Sequence, residues 1–272
     1  MRIPDIGSEF AHPQPFDIAV PNFSALLRRV APEAYTIPPP GGSALSPTAY
    51  VEGTTIVALT YPTGVVMAGD RRATAGNVIS KRDMRKVFEA DAWSAVGISG
   101  AAGPAMELAK LFSTQLENYE KIEGSPLSLE GKANWLGQMV ARNFAMAMQG
   151  IAVVPLFAGY DLYERVARIY EFDVLGGRYE ERRFAATGSG GRDARGSLKA
   201  RYREDLQPDA AIDMVIEALW DAADEDSATG GPDLVRQIYP LVAVIDANGY
   251  RELDDHDIAA RIEPVIAAHR QL

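Results

Sequence analysis

The 272-residue chain contains no cysteine. Disulfides, thiolate nucleophiles, iron–sulfur clusters and cysteine zinc sites are thereby excluded. Histidine is scarce: His12, His256 and His269 are the only three, and none lies between residues 13 and 255. A Ser-His-Asp triad or a histidine metal cluster in the middle of the chain is therefore not expected. An enzyme built this way must take its nucleophile and base from Ser, Thr, Lys, Asp, Glu or a terminal amine. No apolar run reaches the roughly 18 residues of a membrane span, and the first residues lack the pattern of a secretory signal. Positive charge is also short, with 27 basic against 37 acidic side chains and a net charge of −10. That balance argues against a nucleic-acid or anionic-membrane partner and fits a cytoplasmic protein. Neither metal nor cofactor is expected.

Proline is unevenly spread. Nine of the seventeen prolines fall in the first 53 residues, including Pro38-Pro39-Pro40-Gly41-Gly42. Such a run continues neither a helix nor a central strand. Residues 1–53 read as a mostly extended head, with room for one short amphipathic turn at 22–30. The head is either a plain tail or a segment removed on maturation.

From Thr54 the pattern changes. Residues 54–61 (TTIVALTY) are β-branched and apolar, Pro62-Thr63-Gly64 turns, and 65–70 (VVMAGD) is apolar again. This predicts a hairpin, and 93–100 another buried strand. Residues 103–120 place Leu108, Leu111, Phe112, Leu116 and Tyr119 on one helical face. Ser128 can cap a second helix that runs to about residue 149 and ends at Gly150. Three strand-like runs follow, at 151–160, 166–174 and 179–187. Residues 208–224 carry Ile212, Val215, Ile216, Leu219, Trp220 and Ala223 at helical spacing. Residues 241–253 predict a hairpin turning at Asn248-Gly249, and a last helix covers roughly 256–270. Strands and helices come in blocks, which favours an α+β arrangement of two stacked antiparallel sheets with helices outside.

Several short motifs recur in order along the chain. They are Gly53-Thr54-Thr55-Ile56-Val57, Ala68-Gly69-Asp70-Arg71-Arg72-Ala73-Thr74, Arg85-Lys86-Val87-Phe88, Gly97-Ile98-Ser99-Gly100, Thr187-Gly188-Ser189-Gly190 and Asp226-Ser227-Ala228-Thr229-Gly230-Gly231. Each alone is ordinary. Thr-Thr-Ile-Val is common strand composition, the basic run from Lys81 to Lys86 could be a solvated patch, and Gly97–Gly100 could be a simple strand-to-helix turn. In this order and spacing they resemble the proteasome β subunits, and the DSATGG run with the long head resembles the actinobacterial type. The resemblance covers about residues 54–270. It implies an N-terminal-nucleophile hydrolase fold, a four-layer αββα sandwich, with threonine peptidase activity.

Residue chemistry supports such a reading. A threonine hydroxyl needs a base to become a useful nucleophile. A free α-amine titrates near ~8 and can be that base at physiological pH. Exposing the amine of Thr54 requires a cut after Gly53, which has no side chain to block its carbonyl. The chain then divides into a removable head, 1–53, and a catalytic domain, 54–272.

The resemblance assigns further roles. Thr54 is nucleophile and amine base. Lys86 holds a charge beside it, with Asp70 as the partner a buried lysine needs. Gly100 offers its N–H to the oxyanion, and Ser189, Asp226 and Thr229 orient the amine. Ala73, Met84, Phe88, Ile98, Ala102 and Met106 line a pocket for the residue before the cut, which implies a preference for hydrophobic side chains. Thr74 and Gly100 hold the substrate backbone. Two residues depart from the common pattern. Thr229 stands where many relatives carry serine, and Gly191 replaces a frequent serine. With the basic stretch 190–203, they imply altered loop contacts with neighbouring subunits. The implied partners are a seven-membered ring of this chain stacked on a second, proteasome α subunits, an ATP-dependent unfoldase ring and protein substrates. Alternatives are a catalytically silent structural ring subunit, the six-membered bacterial relative of the proteasome, and a small-molecule amide hydrolase of the same superfamily.

Overall fold

A computed structural model describes residues 53–269. The extended head, the turn at 22–30 and the end of the last helix at residue 270 lie outside the described residues. The expected hairpin forms first, as β1 (Thr55–Tyr61) and β2 (Gly64–Gly69), with Tyr61 paired to Gly64. Two short strands follow, β3 (Ala73–Ala75) and β4 (Val78–Lys81), paired with each other. Strands β5 (Val87–Asp91) and β6 (Ser94–Gly97) lead into helix α1 (Ala102–Glu123). Helix α2 (Leu129–Arg142) starts at Ser128, whose hydroxyl accepts the Gly131 N–H at 3.2 Å. It is followed by a single turn, α3 (Phe144–Ala147). Strands β7 (Leu156–Asp161), β8 (Val166–Phe172), β9 (Arg178–Glu181) and β10 (Phe184–Gly188) come next. The chain continues with α4 (Gly191–Arg201), α5 (Pro208–Glu225), β11 (Leu241–Asp246), β12 (Gly249–Glu252) and α6 (Asp255–His269).

The main strands form two five-stranded antiparallel sheets, in the orders β10-β1-β2-β11-β12 and β5-β6-β7-β8-β9. Side chains alternate across each strand. In β1 and β2, Ile56, Ala58, Val65 and Met67 pack between the sheets against Leu156, Ala158 and Ile169. Val57, Leu59, Val66 and Ala68 point the other way, into a cluster with Ile212, Val215 and Leu219 of α5 and Ile258 and Ile262 of α6. On the outer face of the second sheet, Val96, Phe157 and Tyr170 meet Leu108 and Phe112 of α1 and Leu136 and Val140 of α2. Each large apolar side chain so buried contributes roughly 1.5–3 kcal/mol. The result is an αββα sandwich, as the block order of elements implied. Among the described residues no helix is long and apolar enough to cross a membrane.

Several local expectations need correction. Helix α2 stops at Asn143, well short of Gly150, because the Asn143 side-chain amide donates to the Met139 carbonyl at 3.1 Å and its backbone leaves helical geometry. The strand expected at 151–160 begins only at Leu156; before it lies one isolated bridge, Gly100 to Val153. The run 179–187 is two strands in different sheets. The chain crosses at Arg182-Arg183, whose carbonyls accept the Thr60 hydroxyl at 2.9 and 3.0 Å. The stretch 190–203 is largely helix α4 rather than a loop. Leu111 faces solvent, although its spacing matched the buried face of α1. In the last hairpin Asp246 pairs with Gly249, so Ala247 and Asn248 make the turn.

Candidate active site

The site lies where the start of β1 meets three loops. Strand alternation puts Thr54 on the parity of Ile56 and Ala58, and Thr55 on the helix-facing parity of Val57 and Leu59. Both threonines are buried, Thr54 at 4% exposure. The peptide bond between Gly53 and Thr54 is held from both sides. The Gly53 N–H donates to Thr74 Oγ1 at 3.0 Å, and Lys86 Nζ donates to the Gly53 carbonyl at 3.2 Å. The Thr54 N–H donates to Ser189 Oγ at 3.3 Å, while the Ser189 N–H donates to the Thr54 carbonyl at 2.8 Å. A Cβ on residue 53 would overlap the Ala228 side chain, so close packing requires glycine there.

Lys86 is not part of a solvated patch. Lys81, Arg82 and Arg85 are exposed, but Lys86 is 1% exposed at the start of β5. Its Nζ lies 2.7 Å from Asp70 Oδ1 and also donates to the Arg72 carbonyl. Burying a lone ammonium is costly, and Asp70 supplies the compensating charge. Asp70 is in turn saturated. Its Oδ1 also accepts the Thr55 N–H at 2.8 Å, and its Oδ2 accepts the N–H groups of Arg72 and Gly230, each at 2.9 Å. One carboxylate thus ties the start of β1, the lysine and the 226–231 turn together.

Ser189 and Asp226, 37 positions apart in sequence, are brought close enough for the serine to act on the carboxyl. Burial pushes the Asp226 carboxyl upward. Bonds from the Ser189 and Thr229 hydroxyls and the Ala228 and Thr229 N–H groups outweigh it and hold the group below the usual carboxylate range. The Thr229 hydroxyl lies 2.6 Å from Asp226 Oδ2, so threonine at this position keeps the oxygen that serine would supply.

Gly100 has φ of +99°, a conformation glycine adopts without strain, and a Cβ there would collide with the Ala152 carbonyl. The two hydrogen bonds of its bridge to Val153 are made by neighbours. Ala101 N–H donates to the Ala152 carbonyl and Val154 N–H to the Ser99 carbonyl, both at 3.0 Å. The Gly100 N–H is therefore not used by the bridge. The seven residues expected to bind substrate are spread over several elements. Ala73 and Thr74 are on β3, Met84 precedes β5, Phe88 is on β5, Ile98 follows β6, and Ala102 and Met106 lie one turn apart on α1. Phe88 and Ile98 pack in one cluster with Ala105, whereas Met106 is 38% exposed.

Three site residues were not anticipated. Arg72 Nη1 donates to the carbonyls of Ser227 and Thr229 at 3.1 and 3.2 Å, fastening the 226–231 turn. Gly190 donates its N–H to Thr55 Oγ1 at 3.0 Å. Thr55 itself is fully buried with its hydroxyl among polar groups. A hydroxyl on the buried parity of an apolar strand was the available signal, since such a group needs a partner.

Comparison with known proteins identifies the family. A family model described as proteasome subunit matches residues 50–235. A proteasome subunit beta of Acidothermus cellulolyticus is 54% identical over 266 residues, covering 94% of this chain and 90% of the relative. One from Streptomyces griseus is 57% identical over 222 residues, covering 82% and 78%. One from Acidimicrobium ferrooxidans is 54% identical over 245 residues, covering 90% and 87%. With the sandwich fold, the ordered motifs and these relatives in agreement, the chain belongs to the proteasome subunit family.

Proposed function

We propose that this chain is the catalytic β subunit of a proteasome core particle, an endopeptidase whose nucleophile is Thr54 after release of residues 1–53. The observation that carries the reading is the seating of the Gly53–Thr54 peptide bond. Its flanking N–H groups rest on the Thr74 and Ser189 hydroxyls, and its carbonyl faces the buried Lys86 ammonium. In self-cleavage the Thr54 hydroxyl oxygen bonds to the Gly53 carbonyl carbon and its proton is passed on. The carbon–nitrogen bond breaks as the Thr54 nitrogen gains a proton. Water then hydrolyses the ester, leaving a carboxylate on Gly53 and a free amine on Thr54.

On substrates the amine takes the hydroxyl proton and returns it to the leaving nitrogen. The Lys86 charge favours the oxyanionic form of Thr54, and Asp70 balances that charge in the interior. Gly100 N–H stabilises the tetrahedral oxyanion, an effect worth about 3–4 kcal/mol. Ser189, Asp226 and Thr229 orient the amine. Ala73, Met84, Phe88, Ile98, Ala102 and Met106 bind the side chain before the cut, and Thr74 and Gly100 hold the backbone. The working form is a seven-membered ring stacked on a second, joined by α subunits and fed unfolded protein by an ATP-dependent unfoldase in the cytoplasm.

The test is peptide hydrolysis by assembled particles. Wild type should cleave fluorogenic peptides ending in Leu, Tyr or Phe faster than those ending in Arg or Asp. Thr54→Ala particles should be at background. Turnover surviving in Thr54→Ala would defeat the reading, and a reversed peptide ranking would defeat the pocket assignment.

A further inference from the structure

The Thr54 nitrogen, an amide before any cleavage, and the Thr55 hydroxyl approach the same carboxylate by two routes. Thr55 Oγ1 lies 2.6 Å from Thr229 Oγ1, which lies 2.6 Å from Asp226 Oδ2. The direction of this chain is fixed by donor arithmetic. A carboxylate only accepts, so Thr229 donates its proton to Asp226. Thr229 must then accept from Thr55, whose oxygen accepts the Gly190 N–H at 3.0 Å. The order is Gly190 N–H to Thr55, Thr55 to Thr229, Thr229 to Asp226. On the other route Ser189, whose side chain helps to lower the Asp226 carboxyl, accepts the Thr54 N–H on its Oγ at 3.3 Å. The network closes on consecutive residues of one strand.

We propose that Thr55 is a positioning residue for the Thr54 amine, acting through Thr229 and Asp226. It rests on the reading of Thr54 as the N-terminal nucleophile. Asp226 sits just beyond α5 and is partly accessible; its Oδ1 accepts the Ala228 N–H at 3.1 Å, which leaves Oδ2 to be placed by a side chain. The Thr229 hydroxyl pins one of its oxygens, and Thr55 pins Thr229. Thr55 is itself immobile, because Asp70 accepts its N–H at 2.8 Å and its side chain is fully buried. Gly190 completes the arrangement by space rather than conformation. Its φ of −85° suits any residue, but a Cβ there would stand 2.6 Å from both hydroxyl oxygens. Strand alternation thus gives two adjacent threonines different work: one reacts, and the next sets the carboxylate that steers it.

The test compares wild type, Thr55→Val and Thr55→Ser as full-length chains assembled with their partner subunits. The readouts are intact mass, kcat per titrated site and KM, from pH 6 to 10. Thr55→Val should lower kcat by about tenfold or more with KM within twofold. Its acid limb should move to lower pH by about half a unit, because an ammonium on Thr54 loses a well-placed anion. Thr55→Ser should restore both. A kcat within twofold of wild type and an unmoved limb in Thr55→Val would overturn the proposal, whatever the change in melting temperature. If Thr55→Val does not assemble, Thr55→Cys replaces it. Its weak S–H donor should give a kcat about fivefold or more below that of Thr55→Ser. Equal rates for the two would overturn the proposal. A parallel Thr54→Ala particle separates the levels. Residual activity there sinks the nucleophile reading, while an inert Thr54→Ala beside a normal Thr55→Val sinks only the role of Thr55.

Discussion

Among the described residues two lysine–carboxylate pairs are buried, and one of them flanks the candidate nucleophile. Lys86 and Asp70 are 2.7 Å apart with side chains 1% and 0% exposed. Lys132 and Asp91 are 2.5 Å apart with side chains 5% and 12% exposed. By burial and distance they are near twins. They differ in what else they hold. Asp91 spends its second oxygen on the Trp93 N–H and the Ser94 hydroxyl, within the turn between β5 and β6, so this pair clamps α2 to the second sheet. The Lys86 ammonium also reaches the Gly53 carbonyl, and Asp70 also accepts the N–H of Thr55, so this pair grips the chain on both sides of Thr54. A buried ion pair alone therefore marks no site. The destination of its remaining hydrogen bonds does.

Substitution should split the twins. Lys86→Met should reduce both head release and peptide turnover by about 10³-fold, the scale of losing charge stabilisation and proton-transfer assistance together. Lys132→Met should leave turnover per assembled particle within about twofold but cost roughly 3–5 kcal/mol in denaturant unfolding, because it strands a buried carboxylate. Pairing Lys132→Met with Asp91→Leu should recover most of that stability. Pairing Lys86→Met with Asp70→Asn should recover no activity. A Lys132→Met particle as inactive as Lys86→Met would erase the distinction.

The smallest effect belongs to a third, more open pair, between His269 and Asp221. A bond to the Val265 carbonyl, together with the Asp221 carboxylate, raises the imidazole pKa. A raised folded value stabilises the fold at pH values below the unfolded pKa and ceases to do so as pH rises through the folded value. The stability difference between wild type and His269→Gln should thus be measurable at pH 6 and gone by pH 9. A difference that grows with pH would contradict the assigned contact.

Legibility in the sequence followed the range of the interactions involved. The hairpin β1–β2 and helix α5 were readable because alternation and helical spacing are local. Helix α4 was not, since Gly190, Gly191 and Gly196 dilute its signal and only Ala194 and Leu198 give it an apolar face. The crossing at Arg182-Arg183 was hidden because the residue that bonds it, Thr60 in β1, lies far away in sequence. In the site, Thr54, Asp70, Lys86, Gly100, Ser189 and Asp226 could be named from ordered motifs. Their meeting depends on Asp70, which joins segments as far apart as Thr55 and Gly230. Thr55 escaped notice because its neighbour accounted for the motif. Only the Gly190 and Thr229 contacts distinguish it from an ordinary strand residue.

The central claim is that Thr54 becomes the nucleophile by losing the chain before it. Intact mass spectrometry of purified, peptide-cleaving particles measures this directly. The account predicts a chain beginning at Thr54 in wild type, with residues 1–53 retained in Thr54→Ala. Active wild-type particles that keep residues 1–53 would contradict it.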